Sequence, residues 1–342
     1  MLKAAFKKYQ LQFTNPVLTS RGPMEAKNGY YLFINDGKNT GTGECSFIEG
    51  LSIDDLANYE STLLQLCEFI QQGIHESLLL DNFPSIKFGL ETALLDLANG
   101  GNKILFPGDF TRGKKHIPIN GLVWMGSKEF MLQQIESKLK DGFKCIKIKV
   151  AAIDFDEEVM LLDFIRQKFP PETIEIRLDA NGGFNKDEVL GKLDVLSKYH
   201  IHSIEQPIKQ GQIERMEKVC RNSPIPVALD EELINPKDAS KHELLRAIKP
   251  QYIILKPGLL GGLSASEDWI KAARQLNINW WATSALESNV GLNAIAQWVF
   301  TKNSTMVQGL GTGGLYTNNI SSPLYTSNGY LGFNADNVWG NI

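Results

Sequence analysis

The sequence predicts an α/β protein, a closed parallel (β/α) barrel preceded by a small α+β domain. From about His116 onward, short apolar runs alternate with amphipathic helical stretches, each pair roughly one βα unit long. Six of those runs end in an ionisable or polar residue of the same few types: Lys147/Lys149, Asp179, Glu205, Asp230, Lys256 and Ser284. The chain has 342 residues, more than the roughly 250 of a barrel alone, which leaves material for a second domain.

The first domain reads as residues 1–113. Tyr30 to Ile34 and Gly43 to Phe47 flank the turn-rich Asn35–Thr40, which predicts a hairpin turning near Asp36-Gly37. Ser52, with Asp55 three residues on, resembles a capping-box start for a helix reaching about Gln72. Ser85 opens a second helix carrying Leu90, Leu94 and Leu97 on one stripe. Gly100-Gly101 and the stretch Pro107 to Lys115 mark the boundary.

The barrel reads as residues 114–314. Ile117 to Val123 is its first strand, and Ser127 caps a helix ending at Gly142. Cys145 to Val150 is the second strand, followed by a helix burying Phe155, Val159, Leu162 and Ile165. The later strands are Ile174–Leu178, Ile201–Glu205, Pro226–Asp230, Tyr252–Lys256, Asn279–Thr283 and Thr305–Gly309. The turn-rich tail, about 315–342, is expected to return to the first domain.

Composition narrows the function. Apolar residues make up 43% and charged residues 22%, enough for a sizeable core. The net charge is −4 and no basic run exceeds Lys114-Lys115, so neither nucleic acid nor an anionic membrane is the expected partner. A small ligand is. The N-terminus lacks a signal-peptide pattern and no stretch has the length of a membrane span, which suggests a cytosolic protein. Cys45, Cys67, Cys145 and Cys220 show no C-x-x-C spacing and read as reduced core residues.

Side-chain parity places the chemistry. In Lys147-Ile148-Lys149 the lysines share one face of a strand while Ile146, Ile148 and Val150 face the helix layer, so the lysines point into the barrel. Glu175, Arg177 and Asp179 alternate inward likewise, with Arg177 a buried structural cation. Asp179, Glu205 and Asp230 end three consecutive strands, and carboxylates that close repel unless a cation lies between them. An all-oxygen site favours Mg²⁺, with Mn²⁺ able to substitute. Lys256 faces Lys147 and Lys149 across the mouth. A nearby dication and a second ammonium lower a lysine's pKa, which makes it a base able to take a proton from carbon.

Lys147-Ile148-Lys149, Leu178-Asp179-Ala180-Asn181-Gly182, Ile204-Glu205-Gln206-Pro207, Leu229-Asp230-Glu231 and Leu255-Lys256-Pro257 resemble the ordered signature of the enolase superfamily, muconate-lactonizing subgroup. That resemblance implies a (β/α)7β modified TIM barrel under an α+β capping domain. It implies Mg²⁺ on Asp179, Glu205 and Asp230, Lys149 as principal acid/base, Lys147 and Lys256 assisting, and Asn181 and Glu231 behind the ligands. Mandelate-racemase-like members are less similar: none of His75, His116, His200, His202 or His242 lies at a late strand end.

Thr283 to Asn289 and Gly309 to Leu315 resemble the corresponding segments of o-succinylbenzoate synthases, which makes Ser284, Gly311 and Thr312 substrate-binding candidates. The implied reaction is syn dehydration of 2-succinyl-6-hydroxy-2,4-cyclohexadiene-1-carboxylate through an enediolate, a step of menaquinone synthesis. The stretch 17–24 resembles a substrate-closing loop hinged at Gly22 and Pro23, with Arg21 a candidate partner for a substrate carboxylate. Dipeptide epimerases resemble one another in an Asp-x-Asp pair where this chain has Gly309 to Gly313. N-acylamino acid racemisation stays open, because an acylated amine carries no charge. A barrel that only binds a metabolite is the remaining alternative, although buried paired lysines are costly to keep without a use.

Overall fold

The computed structural model describes residues 1–19, 22–74, 80–234 and 240–342. The chain opens with an antiparallel sheet of β1 (Lys3–Thr19), β2 (Gly22–Asn35) and β3 (Thr40–Cys45). The expected hairpin is β2–β3. The Asp36 carboxylate accepts from the backbone N–H of Lys38 and Asn39, at 2.8 and 2.7 Å, while Gly37 takes a φ of 96°. Residues 17–19 and 22–24, expected as a hinged loop, are instead paired strand ends, Val17 opposite Met24 and Thr19 opposite Gly22. Arg21 and Ser20 lie outside the described residues.

Helices α1 (Tyr59–Gln72) and α2 (Pro84–Ala98) pack on this sheet around Leu32, Ile34, Leu63, Leu66, Ile86 and Ala93. Three details depart from expectation. α1 begins seven residues after Ser52, whose hydroxyl accepts from the Ile48 N–H at 2.8 Å and so closes a turn rather than capping a helix. Pro84, not Ser85, opens α2, and the Ser85 hydroxyl donates to Asp54 Oδ1 at 2.7 Å. Leu94 is 41% exposed, because the face of α2 toward β3 is built from small residues. A Cβ on Gly43 would stand 1.9 Å from the Gly89 carbonyl oxygen, so the sheet meets the helix backbone directly.

The barrel follows. After β4 (Ile117–Pro118), its elements are β5 (Gly121–Val123), α3 (Lys128–Lys140), β6 (Cys145–Lys149), α4 (Phe155–Lys168), β7 (Glu175–Asp179) and α5 (Val189–Ser197). They continue through β8 (Ser203–Glu205), α6 (Ile213–Asn222), β9 (Val227–Leu229), α7 (Lys241–Ile248), β10 (Tyr252–Leu255) and α8 (Pro257–Leu260). α9 (Leu263–Gln275), β11 (Asn279–Ala282) and α10 (Asn289–Thr301) complete it. Strands β5 to β11 form one parallel sheet in chain order.

Two strand expectations are corrected. The predicted first strand splits, because Pro118 has no N–H to carry a ladder onward. Ile117–Pro118 pairs with β13 (Tyr330–Phe333), beyond β12 (Leu324–Ser327), and only Gly121–Val123 joins the barrel. Thr305–Gly309 is not a continuous strand. The Gln308 side chain accepts from the Ala282 N–H at 2.8 Å and donates to the Met306 carbonyl at 2.6 Å, taking up ladder positions itself. Parallel bridges of Gln308 to Ile119 and of Gly309 to Thr283 still join both edges and close the barrel.

The tail touches the first domain where Tyr316 bridges Phe13 and the Thr317 N–H donates to the Gln12 carbonyl. It then leaves for the barrel as β12 and β13, which the sequence did not anticipate. All four cysteines are free and buried. Among the described residues no helix is long and apolar enough to cross a membrane.

Candidate active site

Register builds the site. Lys149 stands opposite Asp179, and Asp179 opposite Glu205, so three side chains share one level across β6, β7 and β8. Glu205 stands opposite Ala228, which puts Asp230 just past the end of β9, and Lys256 follows β10 directly. Below them the barrel is plugged. Arg177 stacks on Trp281 at 4.2 Å, donates to Glu175 at 2.7 Å and is 1% exposed, a structural cation as its parity indicated.

The loops above are held by Asn181 and Gln206, at φ values of 44° and 41°. Gln206 Oε1 accepts from the N–H groups of Asp230 and Glu232, at 3.2 and 3.3 Å, which ties the loop after β8 to that after β9. Asn181 reaches both sides of the site: its Oδ1 accepts from Lys149 Nζ at 2.7 Å and its Nδ2 donates to Glu231 at 2.9 Å.

Lysines and carboxylates interlock. Lys147 Nζ lies 2.9 Å from Asp179 and 2.8 Å from Glu205, Lys149 Nζ lies 2.6 Å from Asp179, and Lys256 pairs with Asp230. Burial would pull Lys147 and Lys256 down, yet the carboxylates outweigh it. Asp179 and Glu205 hold Lys147 above its ordinary range, and Asp230 and Glu205 do the same for Lys256. Burial opposes the charge on Asp179, but Lys147 and Lys149 keep it well below the usual carboxylate range. Burial and the Asp179 charge push Glu205 up to about 8, and burial raises Asp230.

Among the described residues no three acidic, histidine or cysteine side chains are gathered as a ready metal cage. Each strand-end carboxylate is turned to a lysine, which supplies the counter-charge a cation would supply. The donor set still suits a hard dication. Glu205 Oε1 and Glu231 Oε2 are buried with no hydrogen-bond partner among the described residues, and oxygen donors are what Mg²⁺ takes.

One cleft, with a cavity volume of about 90 Å³ and partly open to solvent, collects Lys147, Lys149, Lys256, Asn181, Glu231, Ser284, Gly311 and Thr312. Ser284 donates to Glu287 at 2.7 Å and accepts from Thr312 at 2.8 Å and from the Leu286 N–H at 3.0 Å, so its proton and both lone pairs are committed within the protein. Met24, Ile48 and Leu51 bring the first domain to the rim. Sequence reasoning missed Trp124 and Asn120, which also line the cleft; counting alternate residues from Leu122, the partner of Lys147, would have found both. It also missed Glu44, which accepts from the N–H groups of Ser288 and Gly291 at 2.8 Å and so ties β3 to the start of α10. No local signal marks a contact 244 positions apart.

A capped barrel that presents lysines on two sides of a carboxylate row defines the enolase-like class. Residues 131–334 match the family described as enolase C-terminal domain-like, and residues 1–97 match the MenC N-terminal domain. The chain is 44% identical to an o-succinylbenzoate synthase of Desulfotalea psychrophila, covering 97% of this chain and 99% of that one. The crystal structure of MenC from that organism superposes with a TM-score of 0.87 at 42% identity, over 97% and 99% of the two chains. A dipeptide epimerase from Cytophaga hutchinsonii, complexed with Mg and D-Ala-L-Val, shares the fold at 22% identity and a TM-score of 0.83, over 97% and 93%. The chain belongs to the o-succinylbenzoate synthase family of the enolase superfamily.

Proposed function

We propose that this chain dehydrates 2-succinyl-6-hydroxy-2,4-cyclohexadiene-1-carboxylate to o-succinylbenzoate, a hydro-lyase reaction of menaquinone synthesis. The observation that carries the reading is full-length likeness to an o-succinylbenzoate synthase, joined to a cleft with lysines on two sides of the strand-end carboxylates. In this reading residues 114–314 form the catalytic barrel and residues 1–113, with part of the tail, cover its mouth.

Asp179, Glu205 and Asp230 would hold the divalent ion, Mg²⁺ by preference, with Asn181 and Glu231 beside them. When bound, the ion supplies positive charge for the substrate carboxylate as negative charge develops there. Lys149 acts from one face. Lys149 Nζ, held by Asn181 and Asp179, takes the proton from the carbon bearing the carboxylate. The resulting ammonium then returns a proton to the departing hydroxide on the same face, which gives syn loss of water. Lys256 stands on the other side as fixed positive charge, and Lys147 spaces Asp179 from Glu205.

Gly309 to Gly313 carries no acid to meet a substrate ammonium, which disfavours dipeptides. Turnover of the cyclohexadiene and of L-Ala-L-Glu by the purified chain tests this. A higher kcat/KM for the dipeptide would overturn the reading.

A further inference from the structure

The cleft has a second polar feature on the wall opposite the carboxylates. Trp281 stacks inside the barrel on Arg177, so Thr283, two residues further along the same strand direction, also faces inward. Leu122 pairs with the inward Lys147, so Asn120 faces inward too. The side chains of Thr283 and Asn120 are 8% and 4% exposed, both line the cleft, and neither Thr283 Oγ1 nor Asn120 Oδ1 has a hydrogen-bond partner among the described residues. A buried hydroxyl left this way is costly, and a ligand oxygen that accepts from Thr283 recovers that cost.

The backbone sets their separation. The Asn120 N–H donates to the Gln308 carbonyl at 2.9 Å and the Ser284 N–H to the Gly309 carbonyl at 3.1 Å, so Asn120 and Thr283 flank one shared strand position. Two interstrand spacings put their backbones about 10 Å apart, with both side chains on the inner face, one on either side of Gly309. A Cβ on Gly309 would stand 2.3 Å from Thr283 Oγ1, so only glycine leaves room for that hydroxyl to lie over the shared position. The result is a slot with an amide on one side, a hydroxyl on the other and no side chain between.

Resting on the function proposed above, we propose that Asn120 and Thr283 form a specificity slot for the ketone oxygen of the succinyl arm. The chemistry selects the ketone over the terminal carboxylate. Both slot groups are neutral, the Thr283 hydroxyl and the Asn120 Nδ2 amide being the ones able to donate, and the cations among the described residues lining the cleft are the three lysines, which lie on β6 and at the end of β10. A carboxylate sunk between two neutral groups would be desolvated without a counter-charge, whereas a ketone needs only the hydrogen bonds the slot supplies.

The test is calorimetric titration of the full chain, in Mg²⁺ buffer, with o-succinylbenzoate and with 2-(3-carboxypropyl)benzoate, which lacks the ketone. The parent should bind the ketone-bearing ligand about three- to tenfold more tightly, the value of one or two hydrogen bonds. Thr283→Val and Asn120→Leu should each shrink that ratio while leaving affinity for the other ligand within about twofold, and Thr283→Ser should keep it. The two variants carry the test independently, and Thr283→Val preserves volume. A parent that binds both ligands equally, or variants that weaken both alike, would overturn the slot alone. A parent that binds neither would overturn the functional reading itself.

Discussion

Glu158 offers a stability test of the loop that follows the catalytic strand. It lies in the first turn of α4, is 2% exposed, and its Oε1 accepts from the Ala152 N–H at 3.2 Å, so it holds the backbone just past Lys149 and Val150. Burial, opposed by backbone N–H donors from residues 151–153, raises its pKa from 4.5 to about 7. The sign follows from proton counting. Between those values the folded chain keeps a proton that the unfolded chain has released, so stability falls as pH rises through the window and is level above it. Across the whole window the effect comes to about 3 kcal/mol. Glu158→Gln retains the acceptor and cannot titrate. Urea unfolding of both chains at pH 5, 6, 7 and 8 should show the Gln variant gaining on the parent by about 2.5 kcal/mol from the lowest pH to the highest. A difference that does not change with pH would refute the reasoning.

Two further outcomes follow from other parts of the molecule. Chelation with excess EDTA should abolish turnover and added Mg²⁺ should restore it, and Glu205→Gln should weaken Mg²⁺ binding by calorimetry while circular dichroism stays unchanged; full activity in EDTA would sink the metal assignment. Gly43→Ala should lower stability by at least about 3 kcal/mol in denaturant titration, since its methyl would meet the Gly89 carbonyl oxygen at 1.9 Å.

Much of this was legible because β-strands have a period of two. Parity alone sent Lys147, Lys149, Arg177 and Asp179 inward, and strand ends placed Glu205, Asp230 and Lys256 on the same mouth. What the sequence concealed was decided by partners far along the chain. Thr305–Gly309 has strand composition, yet the Gln308 side chain bonds where a ladder would run. Ser52 looks like a cap, yet a nearer backbone N–H takes its hydroxyl. Nor does the sequence show that each carboxylate turns to a lysine, a pairing across strands far apart in the chain.

The most direct measurement compares the parent with Lys149→Ala in one assay, following loss of the cyclohexadiene in Mg²⁺ buffer. The account predicts turnover by the parent and a rate lower by about 10²- to 10⁴-fold or more in the variant, the contribution of a positioned general base. A Lys149→Ala rate within tenfold of the parent, with Lys256→Ala inactive, would contradict it and move the base to the opposite face.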